Sequence, residues 1–470
     1  MTTPDHDPDR DDDPTRDYDG QPHRGGRPDR DARALEVLTE VVRIDSTNPS
    51  PQGEAAVAEV LAAHLAAGRV DGRIVTVDGR PSLIARIPGP TDRPPLVLLS
   101  HTDVVGVEAD AWRHDPFGAE VVDGEVWGRG TLDMKSVAVM HAEALRHLAA
   151  SDIAPSREVI LVAAADEEAC GAAGAEALIR DHPHLVGFRD GSPPPEVLGE
   201  GAFGLTGVLD RAVLPIVLGE RASLRLQATA SGDAGHASLP TGEQAIRAIA
   251  DFVAAVSGPR RARVHPVMRR QFAALAEAAD LPAAAVFRSL ASPAGPAVVG
   301  RLAGLLRKRA GGVLGHLLAD EITPTRLHAG HAPNVTPASA QAEFDARLLP
   351  DTDPDTVVAW LRGVGRRHGV TVAELARTSG GVTTPSALYT VLAEVSAGLP
   401  QRPVVTASLT PATTDLRFFR ARGAAAYGWV PLVLTPELLA GVHGEDERVP
   451  IDGFTTAVAA MREVVHRAAT

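Results

Sequence analysis

Two short, uninterrupted apolar runs, Leu96 to Ser100 and Val159 to Ala165, stand out in the first third of the chain. Runs of that length without polar alternation predict strands buried on both faces. Ahead of them, Leu35, Leu38 and Val42 recur at helical spacing, with Val37, Val41 and Ile44 beside them. The Ser46-Thr47-Asn48-Pro49-Ser50-Pro51 stretch ends that helix. Glu54 to Leu65 forms a second amphipathic helix, and Ile74 to Val77 and Leu83 to Ile87 are short strands. Met134 to Ala149 is helical. Strands alternating with helices indicate an α/β sheet covered on both faces.

The pattern changes after about Val217. Ala222 to Ala230 and Gln341 to Leu349 alternate apolar and polar residues, as half-exposed strands do. Thr241 to Val256 is helical, and Val370 to Leu375 is one more strand. This is the signature of a small α+β domain with one exposed sheet face. Within it, Arg260 to Asp320 is an Ala/Leu/Arg-rich helical insertion without an assignable role. From about Ser386 the α/β pattern returns with the helix Leu388 to Ala397. The chain divides into a tail (1–32), a first catalytic segment (33–218), a smaller domain (219–383, with its insertion at 260–320) and a second catalytic segment (384–470).

Composition narrows the function. The 470 residues carry a formal net charge of -14, which argues against nucleic acid as a partner, since phosphate binding needs a basic footprint. Residues 1–32 are almost wholly Asp, Arg, Pro, Gly and His, a composition expected to be disordered. There is no apolar signal-peptide core and no stretch of the ~20 apolar residues that spans a bilayer, so a cytoplasmic location without membrane attachment is expected. The lone cysteine, Cys170, allows no disulfide within the chain and no cysteine metal cluster. It reads as a small buried residue.

Five separated patches carry the candidate chemistry: His101-Thr102-Asp103, Asp133 after a glycine-rich turn, Asp166-Glu167-Glu168, Glu200 between two glycines, and His443-Gly444. Together they offer imidazoles and carboxylates, a donor set that zinc accepts, with a carboxylate left over as a base. His101 and Asp103 follow a buried strand, where ligands of open α/β sheets collect. Asp103 is placed to orient a metal-bound imidazole. Three successive acids after the second buried strand repel one another unless a cation is present or one holds a proton. Taken singly, each patch also fits an ordinary loop or helix terminus. His141, His147, His182 and His184 lack such settings and read as helix-surface or loop residues.

The motifs carry a family resemblance over about Arg43 to Val449. They are Ser100-His101-Thr102-Asp103-Val104-Val105, Trp127-Gly128-Arg129-Gly130-Thr131-Leu132-Asp133-Met134-Lys135, Ala165-Asp166-Glu167-Glu168, Gly235-His236-Ala237-Ser238, Asn334-Val335-Thr336-Pro337, Phe344-Asp345-Ala346-Arg347, Thr414-Asp415-Leu416-Arg417 and His443-Gly444-Glu445-Asp446-Glu447. In this order they resemble the dinuclear zinc peptidase and amidohydrolase family of aminoacylase, carboxypeptidase G, succinyl-diaminopimelate desuccinylase and carboxypeptidase S. The insertion resembles that of the carboxypeptidase-S-like branch.

The resemblance implies an α/β catalytic domain with a mixed central sheet flanked by helices, interrupted by a smaller α+β lid and dimerisation domain. It implies two Zn2+ ions, with Co2+ or Mn2+ as alternatives. Asp133 would bridge them, His101 and Glu200 would complete one site, and Glu168 and His443 the other. Glu167 would be the general base, taking a proton from the bridging water and delivering it to the leaving amine, with Asp103 supporting His101. His236 would help stabilise the oxyanion, in relatives often from a partner subunit. Asn334 and Arg347 would contact substrate, Arg347 by pairing with its carboxylate. Arg347 also suits a strand-surface salt bridge. A homodimer is compatible with the resemblance but not required by it.

The expected activity is hydrolysis of an amide bond in a peptide or N-acyl amino acid bearing a free carboxylate. The alternatives are a deacylase of another small amide, such as a succinylated or carbamoylated amine, and a catalytically silent binding protein on the same fold.

Overall fold

The computed structural model describes residues 27–239, 242–260, 262–295, 297 and 317–470. The first apolar run forms the strand Leu96–His101 inside a mixed, eleven-stranded sheet. Its side chains alternate between two cores, Leu96 and Leu98 facing one and Val97 and Leu99 the other. This is why the run shows no polar alternation: neither face meets water.

The second run, Val159–Ala164, pairs in parallel with Leu96–His101 on one side, and Glu196–Gly199 pairs in parallel on the other. Arg80–Ile87 and Gly72–Val77 continue the sheet antiparallel. Beyond Glu196–Gly199 lie Ala425–Gly428 and Val213–Glu220, so both chain segments share one sheet. Helices Arg27–Val42, Pro51–Ala67, Lys135–Ala149 and Ile451–Ala469 supply one core, and Ala175–Asp181 and Leu416–Ala421 supply the other.

Ala222–Ser231 and Ser339–Leu348 lie side by side, antiparallel, in a separate five-stranded sheet with Glu321–Ala329, Val370–Thr378 and the short Gly258–Pro259. Helices Ala245–Val256 and Pro354–Arg367 pack on it through Phe252, Val357 and Leu361 against Leu224, Leu226 and Phe344. This is the expected small α+β domain.

Several boundaries move. The first helix begins at Arg27, so residues 27–32 belong to it rather than to the tail. Once the stripe Ala34, Val37, Leu38 and Val41 is buried, the helix extends outward from it and starts with Pro28 in its first turn, where the missing N–H costs no helical bond. Residues 1–26 lie outside the described residues. The helix expected from Thr241 starts at Ala245.

The insertion acquires a place. It leaves the small domain where Gly258–Pro259 pairs with Glu321 and Ile322. Its helices Pro266–Ala278 and Ala283–Ala291 then bury Val267, Met268, Phe272, Leu275 and Leu290 in the principal core of the large sheet. Gln271 sits 3.4 Å from Ser408 on the strand Val404–Thr410. Residues 296 and 298–316 of the insertion lie outside the described residues.

Candidate metal centre

The sheet's topology assembles most of the site. Val159–Ala164, Leu96–His101 and Glu196–Gly199 are adjacent and parallel, so their C-terminal ends meet at one edge. There they deliver Glu167 with Glu168, then His101, and then Glu200, the place where open α/β sheets collect ligands. Asp133 arrives from the turn before helix Lys135–Ala149, and His443 from the loop before strand Arg448–Pro450.

Asp133 lies between the two imidazoles. Its Oδ1 is 3.2 Å from His101 Nε2, and its Oδ2 is 3.0 Å from His443 Nε2. Glu200 approaches His101 Nε2 at 3.9 Å, and Glu168 approaches His443 Nε2 at 3.3 Å. Donor atoms of His101, Asp133 and Glu168 lie within 4.8 Å of one another, as do those of His101, Glu167 and Glu200. The structure therefore gathers all five ligand candidates and Glu167.

The acidic loop is held from several sides. The Asp103 carboxylate accepts the backbone N–H groups of Glu167 (3.2 Å) and Glu168 (3.0 Å) and the amide of Asn48 (2.5 Å). His101 Nδ1 lies nearer the Asp103 carbonyl, at 2.9 Å, than its carboxylate, at 3.6 Å. Asp103 thus orients the loop as directly as it orients the imidazole. Asp166 does not join the ligands. Arg80 binds its carboxylate at 2.6 Å, and Glu54 accepts its N–H at 3.0 Å.

The electrostatics follow from crowding. Burial and the fields of Asp415, Glu168 and Asp133 drive the Glu167 carboxyl well above the usual range, although His101 opposes them. Burial, Asp133 and Glu167 do the same to Glu200. Burial disfavours the charged form of His101, but bonds to Asp103 and Asp133 outweigh it and raise the imidazole well above its ordinary value. Bonds to Asp133 and Glu168 lift His443 to about 10. Burial likewise opposes ionisation of Asp133, and the two imidazoles overcome it, lowering the carboxyl far below its ordinary value. Glu168 Oε1 is buried without a hydrogen-bond partner, while its Oε2 faces His443, so the carboxylate keeps a free donor atom. The residues present fit a pair of oxygen- and nitrogen-ligated metal ions.

Residues 97–467 match the sequence profile of Peptidase family M20/M25/M40. The chain belongs to this family. It is similar to Aminoacylase-1 of Sus scrofa, 27% identical over 452 residues that cover 92% of this chain and 96% of that protein. The fold resembles the M20 family metallo-carboxypeptidase of Sulfolobus solfataricus, with TM-score 0.70, 17% identity, and coverage of 92% of this chain and 98% of that one. It also resembles a dinuclear metal binding peptidase of the M20 family from Bacillus subtilis, with TM-score 0.59, 14% identity, and coverage of 94% and 99%. This M20 protein is accordingly a hydrolase of the metallopeptidase kind, acting on amide bonds.

The residues contributed by the smaller domain stand differently from the ligands. His236 and Asn334 are exposed on the two-stranded ribbon of Gly235–His236 and Val335–Thr336. His236 Nδ1 lies 2.7 Å from Ser238 Oγ, and among the described hydrogen bonds none joins His236 to the ligand cluster. Arg347 does make the strand-surface salt bridge, to Asp345 at 2.9 Å. It also donates across the domain boundary to Thr413 at 2.9 Å.

The sequence points to no role for Asp415 in the run Thr414-Asp415-Leu416-Arg417. Its carboxyl is buried, both oxygens lack partners, and burial pushes it up to about 7. With Ser100, His101, Glu167 and Glu200 it lines a cavity of about 10 Å³, room for one water. Only the run Thr-Asp-Leu-Arg before a short helix marks it in the sequence.

Two smaller readings change. Cys170 is exposed, because a left-handed turn (φ 80°) directs the loop outward after Glu168. His141 is fully buried with both ring nitrogens unpartnered, and burial holds it down at about 3, since its helix is covered on nearly every side. Among the described residues, no helix is long and apolar enough to cross a membrane.

Proposed function

We propose that the chain hydrolyses the amide bond of a peptide or N-acyl amino acid bearing a free carboxylate, at a centre that takes two Zn2+ ions. The observation that carries this reading is the Asp133 carboxylate, whose oxygens each face one imidazole, with a further carboxylate beside each imidazole. Asp133 would help hold both ions. His101 and Glu200 would hold one ion with it, and Glu168 and His443 the other. When bound, such ions act as Lewis acids on the scissile carbonyl and lower the pKa of water toward about 7.

The chain's own groups do the rest. Glu167 takes the proton from the attacking water and passes it to the leaving amine. Burial and the neighbouring carboxylates raise its pKa, which favours its taking up a proton. Asp103 holds the loop that carries Glu167 through the backbone N–H of that residue. His236 stabilises the oxyanion, Asn334 contacts substrate, and Arg347 pairs with the substrate carboxylate. The position of Arg347 beside Thr413, next to the cavity wall at Thr414, supports that assignment.

The test is a panel of N-acyl amino acids, dipeptides and the same compounds with the carboxylate amidated. Turnover of the free acids with loss of turnover on amidation is expected. Equal rates on acids and amides would remove the carboxylate requirement.

A further inference from the structure

Glu447 is completely buried, four residues after His443, and its carboxylate points at the turn that presents Asp133. It accepts the N–H groups of Gly130 (3.0 Å), Leu132 (2.6 Å) and Asp133 (3.0 Å), and Arg129 Nη1 at 2.7 Å. Four donors use about all the lone-pair sites a carboxylate has. The tie is reciprocal: Gly128 N–H donates to the Glu447 carbonyl at 2.9 Å, and Arg129 Nη2 donates to the Gly444 carbonyl at 2.7 Å. The next residue continues the connection, with Arg448 opposite Trp127 in a small three-stranded sheet. On the outer side, Arg113 binds Asp446 through its backbone N–H (2.9 Å) and Nε (2.7 Å).

We propose that Glu447 is a positioning residue for the metal centre, holding the Asp133 turn and the His443 loop at one fixed separation. The inference rests on the two-ion reading above and adds a residue to it. Asp133 and His443 come from segments 310 positions apart, and neither is anchored by a strand end as His101 and Glu200 are. One buried carboxylate substitutes for that anchor. It fixes the main chain of Asp133 directly and the His443 loop through Arg129 and its own backbone. An outer carboxylate of this kind acts on metal affinity through the geometry of the ligands it holds.

Glu447→Gln keeps the size but turns an amide NH2 toward donors that need an acceptor. The measurement is Zn2+ affinity by competition with a chromophoric chelator, beside circular dichroism and thermal melting of the metal-free protein. The expected result is a folded variant whose affinity for both ions falls by about 10- to 100-fold, because Asp133 serves both. Arg129→Lys, which retains charge but cannot fork between Glu447 and Gly444, should weaken binding in the same direction by a smaller factor. A lowered melting temperature with wild-type affinity would overturn the proposal, making Glu447 a fold residue only. Should Glu447→Gln fail to fold, wild-type affinity in Arg129→Lys would overturn it equally. Asp133→Asn separates the two layers. If it binds two ions as tightly as wild type, the two-ion reading has failed. If it loses them while Glu447→Gln does not, only this inference has.

Discussion

Stripping metal from the protein should lower its melting temperature by an amount that the fold allows to be worked out. Four carboxylates, Asp133, Glu167, Glu168 and Glu200, crowd two imidazoles at one sheet edge. In the unfolded chain they are scattered and bind ions weakly. Each ion held at about 1,000 times its Kd stabilises the folded state by about 4 kcal/mol, so two give about 8 kcal/mol. The two catalytic segments, with the insertion helices packed into their core, hold about 300 residues, and at about 2.1 cal/mol/K per residue their unfolding entropy is about 0.6 kcal/mol/K. The ratio is a shift of about 13 °C. The smaller domain has its own core and supplies none of the candidate ligands among the described residues, so a transition belonging to it should not move. The assay is differential scanning calorimetry of chelator-treated protein before and after adding back Zn2+, with His443→Ala as a variant expected to lose about half of the shift. Stripped and reloaded proteins melting within a degree of each other would refute the reasoning.

Two further outcomes follow from particular groups. Glu143 is buried among His64, Arg146 and Arg462; burial alone would raise its pKa, but the bonds to His64 and Arg462 win and hold it at about 2. A depressed carboxyl adds stability above its unfolded pKa of about 4.5 that is lost as pH falls toward 2, so Glu143→Gln should cost about 3 kcal/mol at pH 7 and far less near pH 2.5, by urea titration at both. An equal cost at both pH values would contradict that origin. Arg347→Ala should raise KM for carboxylate-bearing substrates by about 10- to 100-fold with a smaller change in kcat, and should leave amidated analogues unaffected. Equal losses on acids and amides would assign Arg347 to its contacts with Asp345 and Thr413 instead.

What the sequence revealed, and what it hid, divides by range. Leu96–His101 and Val159–Ala164 were legible because burial on both faces removes polar alternation, and the candidate ligands at their ends came with them. Val213–Glu220 is not legible as a strand from sequence, since Pro215 interrupts an otherwise apolar run and demotes it locally; its pairing with Val404–Thr410 is made nearly 200 residues away. The same distance hid Glu447, 314 positions from the backbone N–H of Asp133 that it accepts. Arg80 and Glu54 look like ordinary surface residues until the loop at Asp166 folds over them. The insertion's Met268 and Phe272 announced a helix, but only tertiary packing shows that they cover the large sheet rather than extend the small domain. The left-handed turn that exposes Cys170 has no side-chain signature of its own, so the usual habit of free cysteines misled.

The central claim is that Glu167 moves the proton while other residues hold the ions. The most direct measurement is therefore metal content and single-turnover amide hydrolysis on the same sample of Glu167→Gln, an isosteric change that leaves His101, Asp133, Glu168, Glu200 and His443 in place. Two Zn2+ ions per chain with hydrolysis slowed by about 10²- to 10⁴-fold is the predicted result. A variant that holds both ions and hydrolyses as fast as wild type would contradict the account.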